Sequence, residues 1–528
     1  MSNPNQSVET RADAAGANFS EARAKDALLE AHEKLHEGRR SFFKAAGMAA
    51  TLTSGLGTAL HSKEALAYGG PYAPAFALDP GRTFMNIGTT GSTPIAVLKA
   101  LAANNAAIAR DPTLTFATAD MRNTICTGFG ADPFEIVMCF NTTDGMSKII
   151  NGMNFQPGDE IISTNMEHPG GNSPMAITQD RRGVIVKRVN LPTNDAYSDA
   201  TVLARFQALL TNKTKAICFS SPPFLTGIRL PEKLLCQWAA SLGLSSVIDG
   251  AHGIGMLNLN FHDIGCDFYA GAGHKWQRGP GQTGIMHVRS NNAPAAPATY
   301  TKNVTVNGQP VTLTLPGYAN TNALPAFWPT NSGGYSQTPG SALQGRVRDP
   351  NDNIAATLMS IGNPSYPALR ALQECCLMWD AWGRQNIENY IVALAQYLRS
   401  RLVAIWGQSC LGTPYDANLP LHARIALTSF NPFSAGFDYN GVLSVAEAAA
   451  QTTASGNAVT ALRTVHNVVV RNTAVPHTLR SDPANNASAT NVQSHPLRIS
   501  THLFHNAADV DNLVAKLLLT VPTPPVRR

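Results

Sequence analysis

The chain has 528 residues, of which 44% are hydrophobic and 14% charged, so it can bury a large core and we expect it to divide into two domains. Its formal net charge of +5 is modest for this length, and no run of lysine and arginine occurs beyond the first 67 residues, so nucleic acid is not an expected partner. The eight cysteines show neither a Cys-x-x-Cys pair nor zinc-ligand spacing, and we expect few or no disulfides.

The first 67 residues contain the three parts of a bacterial signal peptide in the usual order. The basic sequence Gly-Arg-Arg-Ser-Phe-Phe-Lys at 38–44 precedes an uncharged, small and apolar run at 45–60, and Ala-Leu-Ala at 65–67 offers a cleavage site. The Arg-Arg-x-Phe-x-Lys core resembles the twin-arginine type, which implies the twin-arginine export machinery as a partner, cleavage after Ala67 and a periplasmic location. An amphipathic helix with a chance arginine pair is the alternative. The run is too short and too glycine-rich to span a bilayer, so we expect no membrane anchor.

Short β-rich runs alternate with helical stretches from about residue 84 onward. Such alternation predicts an α/β fold, in which the large domain is a mainly parallel sheet of seven strands with right-handed crossovers. One helix is predicted at 231–242, where apolar residues recur at helical spacing and Pro231 suits the first turn. The candidate strands are 135–140, 160–163, 184–189, 216–220, 246–249, 268–270 and 285–288.

Residues 291–353 interrupt this alternation, because they are rich in Pro, Gly, Asn, Ser and Thr. Within them, 303–313 alternates about an Asn-Gly pair, which predicts a β-hairpin. We interpret the segment as an insertion over the active-site side or the subunit interface. Helical patterns at 367–406 and 506–519 follow it and indicate a smaller α/β domain. The predicted organisation is therefore an N-terminal extension at 1–67, an arm at 68–90, a large domain at 91–362 and a small domain at 363–528.

Two strand ends carry the residues on which a functional assignment depends. The strand at 246–249 ends in Asp249 and continues to His252, and the strand at 268–270 leads through Gly-Ala-Gly to His274 and Lys275. Open α/β sheets hold ligands at the carboxyl ends of their parallel strands. Pyridoxal phosphate needs a lysine amine for its covalent link and a carboxylate opposite its pyridine nitrogen. Lys275 and Asp249 can supply those two groups.

Five motifs together resemble the class V branch of fold-type I pyridoxal-phosphate enzymes, which includes isopenicillin N epimerase-like proteins, cysteine desulfurases, selenocysteine lyases and C–S lyases. The resemblance covers residues 84–516 apart from the insertion, and it implies a homodimer. The motifs are Asn-Thr-Thr-Asp-Gly at 141–145, Glu-His-Pro at 167–169, Asp249-x-x-His252, His274-Lys275 and Leu-Arg-Ile-Ser at 497–500.

The resemblance gives each motif residue a role. Lys275 would carry the cofactor and move the Cα proton, and Asp249 would hold the proton on the pyridine nitrogen. His252, where the family often has Gln, would reach the phenolic oxygen, and His168 would stack on the pyridine face. A turn carboxylate is the alternative reading of Asp249. A turn histidine before Pro169 is the alternative for His168.

Phosphate binding needs backbone N–H groups and hydroxyls at a helix start. Thr142 and Thr143 meet that need, since they lie between the strand at 135–140 and a helix predicted to begin near Gly145. As an alternative, they are merely N-cap residues. His274 is the third candidate phosphate contact, although Ala272 stands where the family often has a hydroxyl. Ser221 occupies the position where relatives place Asn or His near the cofactor oxygen.

Arg498 matches the family arginine that binds the substrate α-carboxylate, for which a planar guanidinium is better suited than lysine. A structural ion pair is the alternative. The Gly-Thr-Thr-Gly loop at 88–91 lacks the context of a dinucleotide fingerprint, and we expect it at the active-site entrance. Because the resemblance assigns Arg498 to an α-carboxylate, the substrate should be an α-amino acid or a peptide-like compound that carries one.

Cysteine desulfurases need a mobile nucleophilic cysteine shortly before the substrate arginine, and the chain has no Cys between Cys410 and Arg498. Persulfide transfer is thus disfavoured, and an isopenicillin N epimerase-like enzyme of epimerase, aminotransferase or lyase chemistry is favoured. A periplasmic tailoring aminotransferase or C–S lyase acting on a secreted peptide is the runner-up. The alternative from another class is a noncatalytic or metal-binding periplasmic protein using His495, His502 and His505. No carboxylate or Cys ligand is near them, so we expect surface histidines at a helix start and no metal.

Overall fold

The computed structural model describes residues 69–191, 197–290, 298–324, 327–328, 354–412, 419–433, 445–477 and 492–522. These residues belong to one compact unit, Glu64–Arg528. The predicted signal peptide with its cleavage site at Ala67 lies outside the described residues, as does most of the second half of the predicted insertion. The domain boundaries stay predictions.

Helices and strands alternate along the described residues. The strands are β1 (Thr83–Phe84), β2 (Ile136–Cys139), β3 (Glu160–Thr164), β4 (Ile185–Val189), β5 (Thr214–Ser220), β6 (Ser245–Asp249), β7 (Phe268–Ala272), β8 (Gly284–Val288), β9 (Thr299–Val306), β10 (Gln309–Pro316), β11 (Leu427–Phe430), β12 (Val468–Val469), β13 (Arg471–Asn472), β14 (Val475–His477), β15 (Val492–Ser494) and β16 (Leu497–Ser500). The α-helices are α1 (Ile95–Arg110), α2 (Thr118–Ile125), α3 (Thr142–Gly152), α4 (Pro169–Arg182), α5 (Asp199–Gln207), α6 (Glu232–Ser241), α7 (Phe261–Ile264), α8 (Ile354–Met359), α9 (Tyr366–Trp382), α10 (Arg384–Trp406), α11 (Val445–Thr464) and α12 (Ala507–Thr520).

The central element is a seven-stranded sheet in the order β2-β8-β7-β6-β5-β3-β4. The pairs from β7 to β4 are parallel, whereas β8 is antiparallel to both of its neighbours. The seven predicted strands are the seven strands of this sheet, and each end lies within two residues of the prediction. The predicted α/β fold with a mainly parallel seven-stranded sheet is thus confirmed.

Helices cover this sheet, so most of its strands are buried along their whole length and read as continuous apolar runs. The parallel strands β5, β6 and β7 end side by side, with Ser220 paired to Asp249 and Asp249 paired to Ala270. Since the carboxyl ends of these strands meet at one edge, the sheet brings Asp249 next to the turn that follows β7. The core on the sheet includes Val137, Met146, Ile149, Ile161, Val247, Phe268 and Phe327.

A smaller antiparallel sheet, in the order β11-β16-β13, lies in the C-terminal part. It shares a second core with α10, α11 and α12, which includes Leu398, Leu402, Phe430, Leu462, Ile499 and Leu513. The final helix was expected at 506–519 and runs from Ala507 to Thr520, with Asn506 and Asp509 capping each other's backbone N–H at 2.8 and 3.1 Å.

The helical pattern predicted at 367–406 is helical as expected and consists of two helices. Gly383 separates α9 from α10. Its backbone φ is 83°, a value that residues other than glycine rarely adopt. Periodicity alone did not show this break, because the apolar spacing continues on both sides of it.

The predicted hairpin is present and longer than expected, with β9 and β10 paired from Val306–Gln309 to Thr299–Pro316. Its turn residues Asn307 and Gly308 have φ angles of 50° and 75°, as a two-residue hairpin turn requires. Midway along β9, Lys302 Nζ lies 2.6 Å from Asp132 Oδ2, and near the turn Asn123 Nδ2 donates to the Thr305 carbonyl at 2.8 Å. The described part of the insertion is therefore fixed to the segment that precedes β2.

All eight cysteines are buried and free.

Within the described ranges, no helix has both the length and the apolar character needed to cross a membrane.

One buried ion pair joins three strands of the large sheet. Asp267 accepts hydrogen bonds from Arg289 Nη2 at 2.6 Å and from the backbone N–H of Ser246 at 2.8 Å, and both charged side chains are almost fully buried. Asp267→Ala would leave Arg289 buried and unpaired, so we predict a loss of about 3–5 kcal/mol in the free energy of unfolding.

Urea denaturation measures this loss. The matched control is Asp263→Ala, because Asp263 forms an exposed pair with Lys233 at 2.6 Å and should contribute at most about 1 kcal/mol. Equal losses of unfolding free energy in the two variants would show that the buried pair stabilises the fold no more than the exposed pair does.

Candidate active site

The last residue of β6 presents a buried carboxylate with one free oxygen. Asp249 Oδ1 accepts from the N–H of Ala251 at 3.1 Å, whereas Oδ2 has no hydrogen-bond partner among the described residues. Burial raises the pKa of Asp249 to about 6, against the Ala251 N–H and the charge of Lys275, which both lower it. An ionised carboxylate without a partner is costly to bury, so this oxygen is a vacant acceptor for a cationic donor.

The first turn of α4 lies directly against that oxygen. A Cβ on Gly171 would come within 2.5 Å of Asp249 Oδ2, and a Cβ on Gly170 would come within 2.6 Å of Thr143 Oγ1. The two glycines therefore let the helix start approach both groups, which a larger residue would block.

Lys275 follows β7 and keeps part of its surface exposed. Burial lowers the pKa of Lys275 to about 8; the positive charges of Arg498 and Arg471 lower it further, and Asp249 opposes the shift. A substantial fraction of the amine is thus neutral near pH 8 and available as a nucleophile or base.

A hydrogen bond from Trp276 holds His252 in one tautomer. The indole N–H of Trp276 donates to His252 Nδ1 at 3.1 Å, and since indole can only donate, the imidazole proton lies on Nε2. Burial lowers the pKa of His252 well below its ordinary value, and the charges of Lys275 and Arg498 add to this shift. His252 is therefore a neutral ring with one N–H free to donate.

His168 caps the start of α4, where its Nδ1 accepts from the N–H of Gly170 at 3.0 Å. Burial lowers the pKa of His168 to about 4, with further lowering from the charge of Lys275. His168 is thus a histidine at a helix start, in agreement with the alternative interpretation. The same ring lies close enough to Lys275 for the lysine charge to lower its pKa. Stacking on a cofactor stays a prediction.

Glu167 had no role in the sequence analysis. Its carboxylate accepts from the Ser220 hydroxyl at 2.6 Å and the Ser220 N–H at 3.1 Å, and it also bonds to Thr164. Burial raises the pKa of Glu167 to about 7, and the negative charge of Asp249 adds to this rise. Glu167 therefore connects the turn that carries His168 to the end of β5. In the sequence, only its position beside His168 in the motif could have indicated that it belongs to the site.

The helix expected near Gly145 begins at Thr142, because Asn141 caps it by accepting from the N–H of Asp144 at 2.9 Å. That start was predicted three residues late, and Asn141 rather than a threonine is the N-cap. Thr142 Oγ1 is buried and has no partner within the described ranges, whereas Thr143 is exposed. Both threonines lie in the first turn, where N–H groups are free to bind an anion.

Two other predicted cofactor contacts make hydrogen bonds within the protein. Ser221 is fully buried; its hydroxyl accepts from the N–H of Leu230 at 3.2 Å and its N–H donates to the Asp249 carbonyl at 3.0 Å. His274 Nδ1 lies 3.5 Å from the Thr283 carbonyl. Their contacts with a cofactor stay predictions.

Arg498, in β16, is almost fully buried at 1% exposure. Its Nη2 donates to Thr89 Oγ1 at 2.9 Å and to Asn86 Oδ1 at 3.3 Å, while Nε has no partner among the described residues. Burial lowers the pKa of Arg498 to about 9, and the charge of Arg471 lowers it further. No described carboxylate pairs with it, so the ion-pair alternative has no support in this part of the chain. Thr89 brings the 88–91 loop into the site.

The histidines of the metal-binding alternative are not where the sequence suggested. His502 and His505 are fully buried, which corrects the expectation of surface residues. His505 Nδ1 accepts from the N–H of His502 at 3.0 Å, and His502 Nε2 accepts from Arg278 Nε at 3.3 Å. His495 lies against Thr452 at 3.0 Å. The described ranges contain no group of three or more His, Cys, Asp or Glu side chains that could hold a metal ion.

Residues 97–308 match the family model described as Aminotransferase class-V. Isopenicillin N epimerase from Streptomyces clavuligerus is 28% identical over 219 residues, which are 40% of this chain and 54% of that protein. Cysteine desulfurase from Serratia proteamaculans (strain 568) is 33% identical over 159 residues, which are 29% of this chain and 38% of that protein. The chain thus matches about half the length of the epimerase and less of the desulfurase. The predicted class V resemblance is confirmed for this domain.

Solved structures cover more of the chain. The cystine C-S lyase C-DES, in complex with its product cysteine persulfide, is 19% identical with a TM-score of 0.57 over 84% of this chain and 98% of that one. Another C-DES structure, with glycine covalently linked to its PLP cofactor, is 19% identical with a TM-score of 0.57 over 83% and 96%. Cysteine desulfurase from Thermococcus onnurineus NA1 is 17% identical with a TM-score of 0.58 over 85% and 96%. At these identities the likeness shows the fold alone, which is fold-type I as predicted.

The Trp276 hydrogen bond makes a prediction about His252. Trp276→Phe removes a donor that favours the Nε2–H tautomer by about 1 kcal/mol. Nitrogen-15 NMR of histidine-labelled protein should therefore show His252 in one tautomer in the wild type and in a mixture in Trp276→Phe, with a higher pKa for the ring.

The His252 signals are assigned by their loss in His252→Asn. Trp238→Phe, in α6, is the matched control and should leave them unchanged. A single, unaltered tautomer in Trp276→Phe would show that the indole does not set the proton position.

Proposed function

We propose that this chain, whose residues 97–308 form an aminotransferase class-V domain, is a pyridoxal-phosphate-dependent enzyme that acts at the Cα of an amino acid or a peptide-derived amine. The predictions of an enzyme and of this cofactor are confirmed by the class V match and by a PLP-linked structure with the same fold. The substrate and the reaction type are proposals.

The vacant buried oxygen of Asp249 carries this proposal. A protonated pyridine nitrogen is a flat cationic donor that suits a buried carboxylate with one free acceptor position. Lys275 lies close enough to lower the pKa of Asp249, and helix α3 begins with Thr142, whose hydroxyl has no partner in the described part of the chain. Carboxylate, amine and helix start are the groups that the ring nitrogen, the aldehyde and the phosphate of the cofactor need.

When bound, the cofactor withdraws electrons from Cα so that a proton there becomes labile. Asp249 would hold the proton on the ring nitrogen. Lys275, with a pKa of about 8, can take and return the Cα proton near neutral pH. His252 would donate its Nε2–H to the ligand, and Arg498 would offer the substrate carboxylate its Nε–H, which has no acceptor among the described residues, and its cationic plane.

The reaction is proposed to be epimerase-like, since isopenicillin N epimerases are among the relatives. Transamination or C–S lysis on a secreted peptide is the runner-up. We do not extend the desulfurase relatives' activity to this chain, because all eight cysteines are buried and burial raises the pKa of Cys410 to about 12. A buried thiol of that kind is a poor nucleophile.

We further propose export by the twin-arginine route to the periplasm and a homodimer. Export is supported by the order of basic, apolar and small residues in the first 67 positions. That route carries folded proteins with their cofactors in place, as a protein with a covalently held cofactor requires. The homodimer is supported by the family resemblance.

Borohydride reduction tests the role of Lys275. In protein loaded with pyridoxal phosphate, reduction should fix the pyridoxyl group to the peptide that contains His274, Lys275 and Trp276, as located by mass spectrometry. Lys275→Ala should lose this label and nearly all turnover, because the covalent link and the proton carrier are both removed.

The exposed Lys215→Ala is the matched control and should keep the label. Labelling at another lysine, such as Lys302 in the hairpin, would mean that the site is assigned to the wrong residue. Absence of any cofactor uptake would remove the proposed function.

Replacing both arginines of the pair at 39 and 40 with lysine tests the export proposal. We predict that the protein then stays in the cytoplasm at precursor size, because the twin-arginine machinery requires the pair. Cell fractionation with immunoblotting measures this. An unchanged periplasmic fraction of mature size would rule out twin-arginine export.

A further inference from the structure

A second arginine lies beside the one that the family resemblance assigns to the substrate. β13 pairs with β16 in antiparallel register, and Arg471 is directly opposite Arg498. Directly opposite residues share one face of a sheet, with Cβ atoms about 4.5–5.5 Å apart, and like charges in such a pair are destabilising. The two charges therefore repel each other, and an anion between the two side chains would relieve this repulsion.

Both guanidinium groups converge on one hydroxyl. Arg498 Nη2 donates to Thr89 Oγ1 at 2.9 Å, and Arg471 Nη1 lies 3.4 Å from the same oxygen. Neither arginine has a carboxylate within ion-pair distance among the described residues. A surface arginine placed only for solubility would extend into solvent instead of turning towards another arginine.

The charge of Arg471 also reaches the reacting groups. It lowers the pKa values of Lys275, His168 and His252. In each case its contribution is smaller than that of burial and of at least one other charged group. Arg471 itself is exposed, whereas Arg498 is buried, so the two guanidiniums lie at the entrance and in the depth of one site.

The other neighbour of Arg498 on this face is polar too. Ser429 of β11 is directly opposite Arg498 on its second side, and its buried hydroxyl has no partner in the described part of the chain. Three adjacent strands thus place Arg471, Arg498 and Ser429 in a row, and two buried donors in it, Arg498 Nε and the Ser429 hydroxyl, have no acceptor among the described residues.

We propose that Arg471 forms a second anion subsite beside Arg498, so that the substrate carries two anionic groups close together, as in a dicarboxylic amino acid or a peptide-derived amine with a second carboxylate. This inference rests on the proposed function, because Arg498 would bind the α-carboxylate. Arg471 then selects for the second anion, and its exposed position suits a group at the outer end of the substrate.

Unreactive acids test the subsite in the holoenzyme. Calorimetry at low ionic strength compares succinate and glutarate with their monoamides, succinamate and glutaramate, which have the same shape and one charge less. We expect the wild type to bind each dicarboxylate about tenfold more tightly than its monoamide, as one charge-assisted hydrogen bond provides.

Arg471→Gln should remove this preference and leave monoamide binding unchanged, and Arg471→Lys should keep part of it, which shows that the effect is charge rather than misfolding. Arg498→Gln should weaken both ligands. Arg463→Gln, an exposed arginine of α11, is the matched control and should change neither. Equal binding of diacid and monoamide to the wild type, or an equal loss of both in Arg471→Gln, would overturn the subsite.

The two proposals fail separately. Cofactor uptake followed by borohydride labelling reports on the proposed function, and the preference for diacids reports on Arg471. Labelling at Lys275 without any preference would remove the subsite and leave the enzyme assignment. A preference that Arg471→Gln removes, in protein that takes up no cofactor, would support the subsite and remove the proposed function.

Discussion

The site depends on a carboxylate that the protein buries without satisfying it. Asp249 ends β6 with one oxygen bonded to the N–H of Ala251 and the other without a partner among the described residues, and helix α4 approaches that oxygen closely only because Gly171 lacks a side chain. Leaving such a group unpaired costs stability, which a protein tolerates where a ligand completes the pairing. His252 and Lys275 follow β6 and β7 at the same sheet edge as this carboxylate, whereas Arg498 comes from β16 of the smaller sheet and meets His252 beside Gly88.

The strands and the residues at their carboxyl ends could be predicted from the sequence, since buried parallel strands are continuous apolar runs and Asp249 and Lys275 follow two of them directly. Sequence patterns did not predict helix boundaries or burial where contacts between distant residues determine them. The break at Gly383 leaves the helical apolar spacing intact, and Asn141 caps α3 three residues before the expected start. His502 and His505 look like helix-start surface residues, yet the N-terminal arm at Phe84 and the buried Arg278 enclose them.

Other parts of the site depend on contacts between residues distant in sequence. The hydrogen bond from Trp276 to His252 spans two motifs, and nothing in either motif indicates that the indole turns towards the imidazole. The pairing of Arg471 with Arg498 depends on the register of β13 and β16, which sequence patterns do not reveal. These contacts fix the proton on His252 and place two positive charges opposite each other on the small sheet.

We propose above all that Asp249 faces the pyridine nitrogen of the cofactor and keeps it protonated. Nitrogen-15 NMR of the holoenzyme, prepared with pyridoxal phosphate labelled at its ring nitrogen, tests this claim directly. The account predicts a protonated nitrogen in the wild type between pH 7 and 8, and an unprotonated nitrogen in Asp249→Ala with the cofactor still bound. An unprotonated nitrogen in the wild type, or a protonation state that Asp249→Ala leaves unchanged, would contradict it.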